Sequence, residues 1–253
     1  MMGYAIQWLR SLAFVIQMYL MMPLMAIVFV PWAMLRRDGV YTYIRSYADW
    51  VRWTARWMVG LRTEIRGEIP TDQVLVASKH QSFLDVVLLV SALPRSRFII
   101  KKELHNAPIF HFFGKRMGNV PVDRGKRREA IAQMMADVQS GRNLPGQLVI
   151  YPQGTRIHPC EKAPYKVGVG LLYEQTGYDC VPAATNVGLF WPKRAIYRRP
   201  GTAVLEFLPR IPAGLPKEEF MQRLEEVIET NSNRLMREAG FDPEKCEWIT
   251  SKA

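Results

Sequence analysis

Three spacings of hydrophobic positions follow one another along this chain. Ser11–Leu35 holds no charged residue, and Gln17 is its only strongly polar side chain. As one straight helix that stretch would reach roughly 37 Å, enough to cross a hydrocarbon core of about 30 Å. Pro23 and Pro31 interrupt it, and each removes a helix hydrogen bond and favours a kink or break. Two arrangements follow: one kinked span, or two short helices folded back at Pro23, each about 18 Å long and dipping into one leaflet. A cleaved leader fits poorly, because Arg10 is the only basic residue ahead of the run and no small-residue cleavage site follows it.

The second stretch, Val40–Val59, has helical spacing. Arg45, Asp49, Arg52 and Arg56 fall on one narrow stripe at about 100° per residue. Tyr41, Ile44, Ala48, Val51, Ala55 and Val59 form the main apolar face, flanked by Trp50, Trp53 and Trp57. Tryptophan and arginine beside an apolar face suit a lipid headgroup layer, although a core helix with a solvated arginine edge gives the same pattern.

From Gly60 onward short apolar runs alternate with amphipathic ones. Strands are expected at Val74–Ala77, Arg97–Ile100, Val120–Val122, Gln147–Tyr151, Asp179–Ala183 and Thr202–Leu208. Helices are expected at Ser82–Ala92, Pro108–Met117, Lys126–Ser140, Lys166–Gln175 and Pro216–Ala239. Proline at a first turn and glycines at 141, 177 and 240 supply the starts and stops. This alternation predicts an α/β fold with a mostly parallel central sheet flanked by helices. Residues 1–60 then form an N-terminal helical membrane motif and residues 61–253 an α/β domain.

The 253 residues suffice for one packed domain with a short appendage. The excess of 34 basic over 23 acidic residues gives a net charge of +11 and points to anionic partners. Those could be a membrane surface, a phosphorylated substrate or nucleic acid. No recognised nucleic-acid module is present, so nucleic acid is not an expected partner. Cys160, Cys180 and Cys246 are odd in number and widely spaced. That spacing suggests neither a disulfide framework nor a zinc site, and fits a reduced cytosolic setting. Arg36 and Arg37 after the apolar run place the remainder on the cytoplasmic side of an inner membrane.

Four segments could carry chemistry. His80-Gln-Ser-Phe-Leu-Asp85 crosses a strand-to-helix turn, where α/β folds put functional groups. Asp85 could point the imidazole so that His80 takes a proton from a hydroxyl, or it could simply cap the helix with Ser82. Gly118-Asn-Val-Pro-Val-Asp123-Arg124 ends a short strand in an arginine suited to phosphate, followed by the basic run Lys126–Arg128. Tyr151-Pro-Gln-Gly-Thr-Arg156 is a turn able to aim N–H groups at an anion. Val181-Pro182-Ala183 alone reads as structure. Gly168-Val-Gly170 lacks the third glycine of a dinucleotide fingerprint, and no P-loop, H-E-x-x-H or G-x-S-x-G occurs. His105, His111 and His158 lack metal-ligand spacing, so no metal is expected.

These four segments, in this order, resemble the 1-acylglycerol-3-phosphate acyltransferases. That family carries His-x4-Asp, a segment ending in Asp-Arg, then Phe-Pro-Glu-Gly-Thr-Arg, then a Val-Pro strand end. The resemblance runs from about residue 74 to residue 184, and Lys102-Glu-Leu lies in a similar stretch between the first two motifs. It implies transfer of a fatty acyl group to the sn-2 hydroxyl of lysophosphatidate, giving phosphatidate. His80 would be the general base and Asp85 its orienting partner. Lys102, Arg124, Gln153, Gly154, Thr155 and Arg156 would hold the acceptor. It implies no cofactor: acyl-CoA or an acyl carrier protein is the co-substrate, and a lysophospholipid and membrane lipids are the partners. Two positions depart from the family pattern: Gln153 stands where it has Glu, and Ala183 where it has Val. The lost charge at Gln153 raises another acceptor, such as a lyso-ornithine lipid. A third reading is a basic membrane-surface protein without catalysis. A chain-length ruler at Phe110–Phe113 or at the tryptophan-rich helix is a further expectation.

Overall fold

The computed structural model describes residues 2–36, 38–101, 108–122, 136 and 146–249. Seven strands form the main sheet: β1 (Leu61–Arg66), β2 (Leu75–Ser78), β3 (Ser96–Lys101), β4 (Val120–Val122), β5 (Gln147–Ile150), β6 (Cys180–Thr185) and β7 (Gly201–Phe207). Their order is β1-β7-β6-β2-β5-β3-β4. Every neighbouring pair is parallel except β6 and β7. The parallel sheet read from the alternation is therefore present. Buried strands such as β2 and β5 are continuous apolar runs, as a sheet covered on both faces requires.

The period of two sorts their side chains into two cores. Val74 and Val76 join the core shared with α2 (Gly39–Val59) and α3 (Leu84–Ala92). Leu75 and Ala77 join a second core with Phe220, Leu224 and Ile228. Those last three lie on α6 (Lys217–Glu238), which packs beside α5 (Val167–Thr176). Helix α4 (Pro108–Met117) adds Phe113 and Met117 to the first core. The helix expected at Lys126–Ser140 lies, but for residue 136, outside the described residues. A short hairpin, β8 (Phe241–Asp242) with β9 (Glu247–Trp248), closes the chain.

The N-terminal run is neither broken nor folded back. Helix α1 covers Met2–Leu35 with both prolines inside it. Its length of about 51 Å follows from the rise per residue. Packing against α2 overrides the local tendency to break. Phe14, Met18, Ala26 and Ala33 are buried in the first core, and the Tyr43 and Tyr47 hydroxyls donate to the Met22 and Met18 carbonyls just before Pro23. Gln17 serves the same contact, accepting from the Trp50 indole at 2.9 Å and donating to the Thr54 hydroxyl at 3.1 Å. Near its start, the Gln7 amide donates to the carbonyls of Val59 and Arg198, both at 2.9 Å. The outward face stays apolar and exposed, with Ile16, Leu20, Leu24, Ile27 and Val28, and Trp53 and Trp57 of α2 are likewise exposed. Helix α1 is long and apolar enough to cross a membrane.

The reading of the cysteines is corrected. Cys160 and Cys246 form a disulfide with Cα atoms 5.5 Å apart, and Cys180 is free and buried. The two halves are 86 residues apart in sequence, so their meeting is a product of tertiary folding that spacing does not reveal. Strand β1 also went unread, although Arg62, Glu64 and Arg66 alternate with Leu61, Thr63 and Ile65 as in an edge strand; among the described residues it pairs with β7.

Candidate active site

Strand β2 sits at the centre of the sheet, with β5 and β6 on either side. Past its last residue the chain stays in register, since Lys79 N–H donates to the Ala183 carbonyl at 3.0 Å. Alternation therefore sends the Lys79 side chain with Leu75 and Ala77 toward α6, and His80 to the opposite face. His80 Nδ1 lies 2.9 Å from Asp85 Oδ1. The other carboxylate oxygen accepts the backbone N–H groups of Gln81 and Ser82, each at 2.8 Å. Ser82 Oγ accepts the Leu84 N–H at 3.1 Å. The two roles open to Asp85 are thus held at once: one oxygen caps the start of α3 and the other faces the imidazole.

Asp85 is fully buried, while His80 keeps 17% of its side chain exposed. Three donors around two oxygens suit a carboxylate. With Nδ1–H donating to it, the His80 ring presents a lone pair at Nε2, the nitrogen a general base needs. The phenol ring of Tyr151 stacks on the imidazole with centroids 3.9 Å apart and planes 19° from parallel. Burial, and then the Asp85 charge, push the Tyr151 hydroxyl well above its usual titration range, so it stays neutral.

The third motif is wired directly to the first. Ile157 N–H donates to the His80 carbonyl at 2.8 Å. Gly154 N–H closes a tight turn on the Tyr151 carbonyl at 2.8 Å. That turn holds Gly154 at φ +70°, a backbone that glycine adopts without cost. Gln81 Oε1 accepts the Gly188 N–H at 3.0 Å, and a Cβ on Gly188 would lie 2.9 Å from Gln81 Cβ. The connection after β6 therefore closes against the histidine turn.

Thr155 is exposed and Arg156 half-buried at this turn. The Lys193 ammonium donates to the Arg156 carbonyl at 2.9 Å, which adds an unforeseen cation beside the third motif. Gln153 is turned inward: it is 2% exposed, with its amide nitrogen 3.4 Å from Glu229 Oε1. Lys102 and Arg124 lie outside the described residues, although the strands that precede them, β3 and β4, run parallel to β5 and end at the same edge. His158 is exposed and stands near the disulfide, its Nδ1 accepting the Cys160 N–H at 3.4 Å. His105 and the side chain of His111 lie outside the described residues.

Lys79, Tyr165, Lys193 and Glu229 escaped the sequence reading. Only Lys79 had a local signal: a cation placed, by the period of β2, on a face otherwise reserved for Leu75 and Ala77.

The architecture is shared with the crystal structure of the 1-acyl-sn-glycerophosphate (LPA) acyltransferase PlsC from Thermotoga maritima. The two superpose with a TM-score of 0.76 at 19% identity, over 90% of this chain and 97% of that one. The chain is similar to the 1-acyl-sn-glycerol-3-phosphate acyltransferase of Pseudomonas aeruginosa, 27% identical over 161 residues that make up 63% of each chain. It is also 27% identical to the enzyme of that name from Saccharomyces cerevisiae, over 74% of this chain and 63% of the relative. The matched segment thus spans under two thirds of either relative. A family model described as Acyltransferase matches residues 61–186. Because that match covers the strands that build the site, from β1 through β6, the chain belongs to the acyltransferase family.

Proposed function

We propose that this protein transfers a fatty acyl group from a thioester to the free hydroxyl of lysophosphatidate, with His80 as general base and Asp85 as its orienting partner. The observation that carries this is the 2.9 Å contact between His80 Nδ1 and a buried carboxylate. His80 Nε2 takes the hydroxyl proton as the oxygen attacks the thioester carbonyl. The C–O bond forms, the C–S bond breaks, and the proton passes to the departing thiolate. A positioned base of this kind contributes roughly 10²–10⁴-fold in rate. The donor is acyl-CoA or an acyl carrier protein, and no acyl-enzyme intermediate is required.

Lysophosphatidate is the acceptor because the relatives carry that substrate in their names and because cations gather at the third motif. Arg156 and Lys193 would hold the acceptor phosphate, and the family resemblance assigns Arg124 and Lys102, outside the described residues, to the same role. Lys193→Ala is expected to raise the KM for lysophosphatidate by about fivefold, a loss near that of one exposed charge-assisted hydrogen bond. The KM for an acceptor without phosphate should not move, and a uniform loss on both acceptors would remove Lys193 from the phosphate site. The alternative acceptors rested on Gln153, whose amide is spent on Glu229 inside the protein.

Helix α1 and the exposed indoles of α2 form the membrane contact. Because one side of α1 is committed to α2, we place the helix in one leaflet, with the α/β domain at the membrane surface next to Arg36. Ile27 and Val28 are 70% and 73% exposed. Changing both to glutamate is expected to lower co-sedimentation with anionic vesicles by at least about tenfold, since each charge opposes entry by up to about 3 kcal/mol. Unchanged binding would move the membrane contact elsewhere.

The test of the activity is release of free thiol from acyl-CoA, or from acyl carrier protein, by protein purified in detergent. Release that depends on lysophosphatidate supports the reading. Release only with another lysolipid keeps the chemistry and replaces the acceptor. No release with either donor and any acceptor overturns it.

A further inference from the structure

Directly behind the histidine turn lies a charged cluster that the proposed chemistry does not use. The side chain of Lys79, the residue before His80, is 1% exposed, and its ammonium pairs with the carboxylate of Glu229 on α6. The other oxygen of Glu229 accepts the Tyr165 hydroxyl at 3.0 Å and faces the Gln153 amide nitrogen at 3.4 Å. Gln153 Oε1 is buried and has no hydrogen-bond partner among the described residues. Tyr165 belongs to the segment leading into α5, and burial followed by the Glu229 charge pushes its hydroxyl far above the usual range, so it remains a donor.

Charge counting explains the composition of this cluster. Lys79 is buried and Glu229 keeps 28% of its side chain exposed; a buried ammonium needs a nearby anion, and removing that anion is destabilising. Glu229 supplies one negative charge for one positive. A second carboxylate at position 153 would leave the cluster with an uncompensated charge, whereas an amide can donate to Glu229. The neutral Gln153 is therefore matched to Glu229 rather than to the substrate.

We propose that Glu229 is a positioning residue: as the counter-charge of Lys79 it holds the turn that aims His80, and it carries the negative charge that the resembling motif places at position 153. This rests on the proposed role of His80. The link is short, because Lys79 N–H is held to β6, its side chain to α6, and the next residue is the base. The His80 carbonyl is in turn held by Ile157, three residues beyond Gly154. Gln153 thus bears on that turn through Glu229, and Ile157, the residue after the third motif, through the backbone.

The test compares the parent with Glu229→Gln, Gln153→Glu and the double variant that relocates the charge. Glu229→Gln is expected to lower kcat about tenfold or more with little change in KM, and Gln153→Glu to lower kcat by a similar factor. The double variant restores the charge count and should return kcat to within about threefold of the parent. A double variant no better than the worse single overturns the proposal, and it remains decisive if Glu229→Gln alone fails to fold. The second readout is the NMR signal of the His80 imidazole, identified by its loss in His80→Gln. It should shift in both singles and return in the double. This reading needs no substrate, so it stands apart from any failure to find the acceptor. If Glu229→Gln lowers only the unfolding midpoint and leaves kcat and the His80 signal in place, Glu229 is merely structural and the proposal falls.

Discussion

Replacing His80 by alanine is expected to reduce turnover by roughly 10²–10⁴-fold while the protein stays folded. The site shows why the loss should be in chemistry and not in stability. The ring is part-exposed and contributes one stacking contact with Tyr151 and one hydrogen bond to Asp85. Without it, Asp85 keeps its two backbone donors, Gln81 and Ser82, so the cap of α3 survives. Substrate binding should change little, because in the proposed reading the acceptor phosphate is held by other residues, Arg156 and Lys193 among them. The thiol-release assay with saturating lysophosphatidate gives kcat, and circular dichroism with thermal unfolding reports the fold. An alanine variant that keeps more than about a tenth of parent turnover would exclude His80 as the general base.

Asp85→Asn is expected to lose about as much turnover and some stability as well. An amide offers one acceptor oxygen where the carboxylate offers two. If that oxygen keeps Gln81 and Ser82, the NH₂ group faces His80 Nδ1. The imidazole must then accept at Nδ1 and carry its proton on Nε2, where it cannot take another. A wrong tautomer of this kind costs about 10⁴-fold in serine proteases. If instead the amide turns over, two backbone N–H groups lose their acceptor in a fully buried place. That costs about 1–3 kcal/mol for each group left unpaired. Either orientation impairs the enzyme, and the unfolding midpoint tells them apart. Because the two residues act as one unit, His80→Ala combined with Asp85→Asn should turn over no more slowly than the weaker single variant. Multiplying losses in the double variant would show that they act separately.

The frame of the molecule was legible because its signals are local. Alternating apolar runs gave the sheet, and helix stops such as Gly177 fell where α5 ends, with φ +63°. His80 and Asp85 could be paired because they are five residues apart across a single turn. Contacts made over long separations could not be read. Glu229 looks like one more charge on an amphipathic helix, and only folding carries it to Lys79, 150 residues earlier. The disulfide and Lys193 are hidden for the same reason. The choice left open at Pro23, one span or two helices, has another source. Proline predicts what an isolated helix does, and here α2 supplies side-chain packing and two hydroxyl donors that an isolated helix lacks. At Gln153 the sequence suggested a change of substrate, whereas the structure turns that side chain toward a partner within the chain.

The contact between α1 and the rest of the molecule also sets an order of events at birth. Gln7 is satisfied by the carbonyl of a residue 191 positions later. At about 5–20 residues per second, the ribosome needs roughly 10–40 s to make up that interval. For most of it α1 presents its exposed apolar face, with α2 next along the chain to cover the other side, while most of the strands are still unmade. In the leaflet reading proposed above, lipid covers its outward face during that wait. On that reading membrane attachment precedes completion of the sheet, and the α/β domain assembles where its N-terminal helix is already moored.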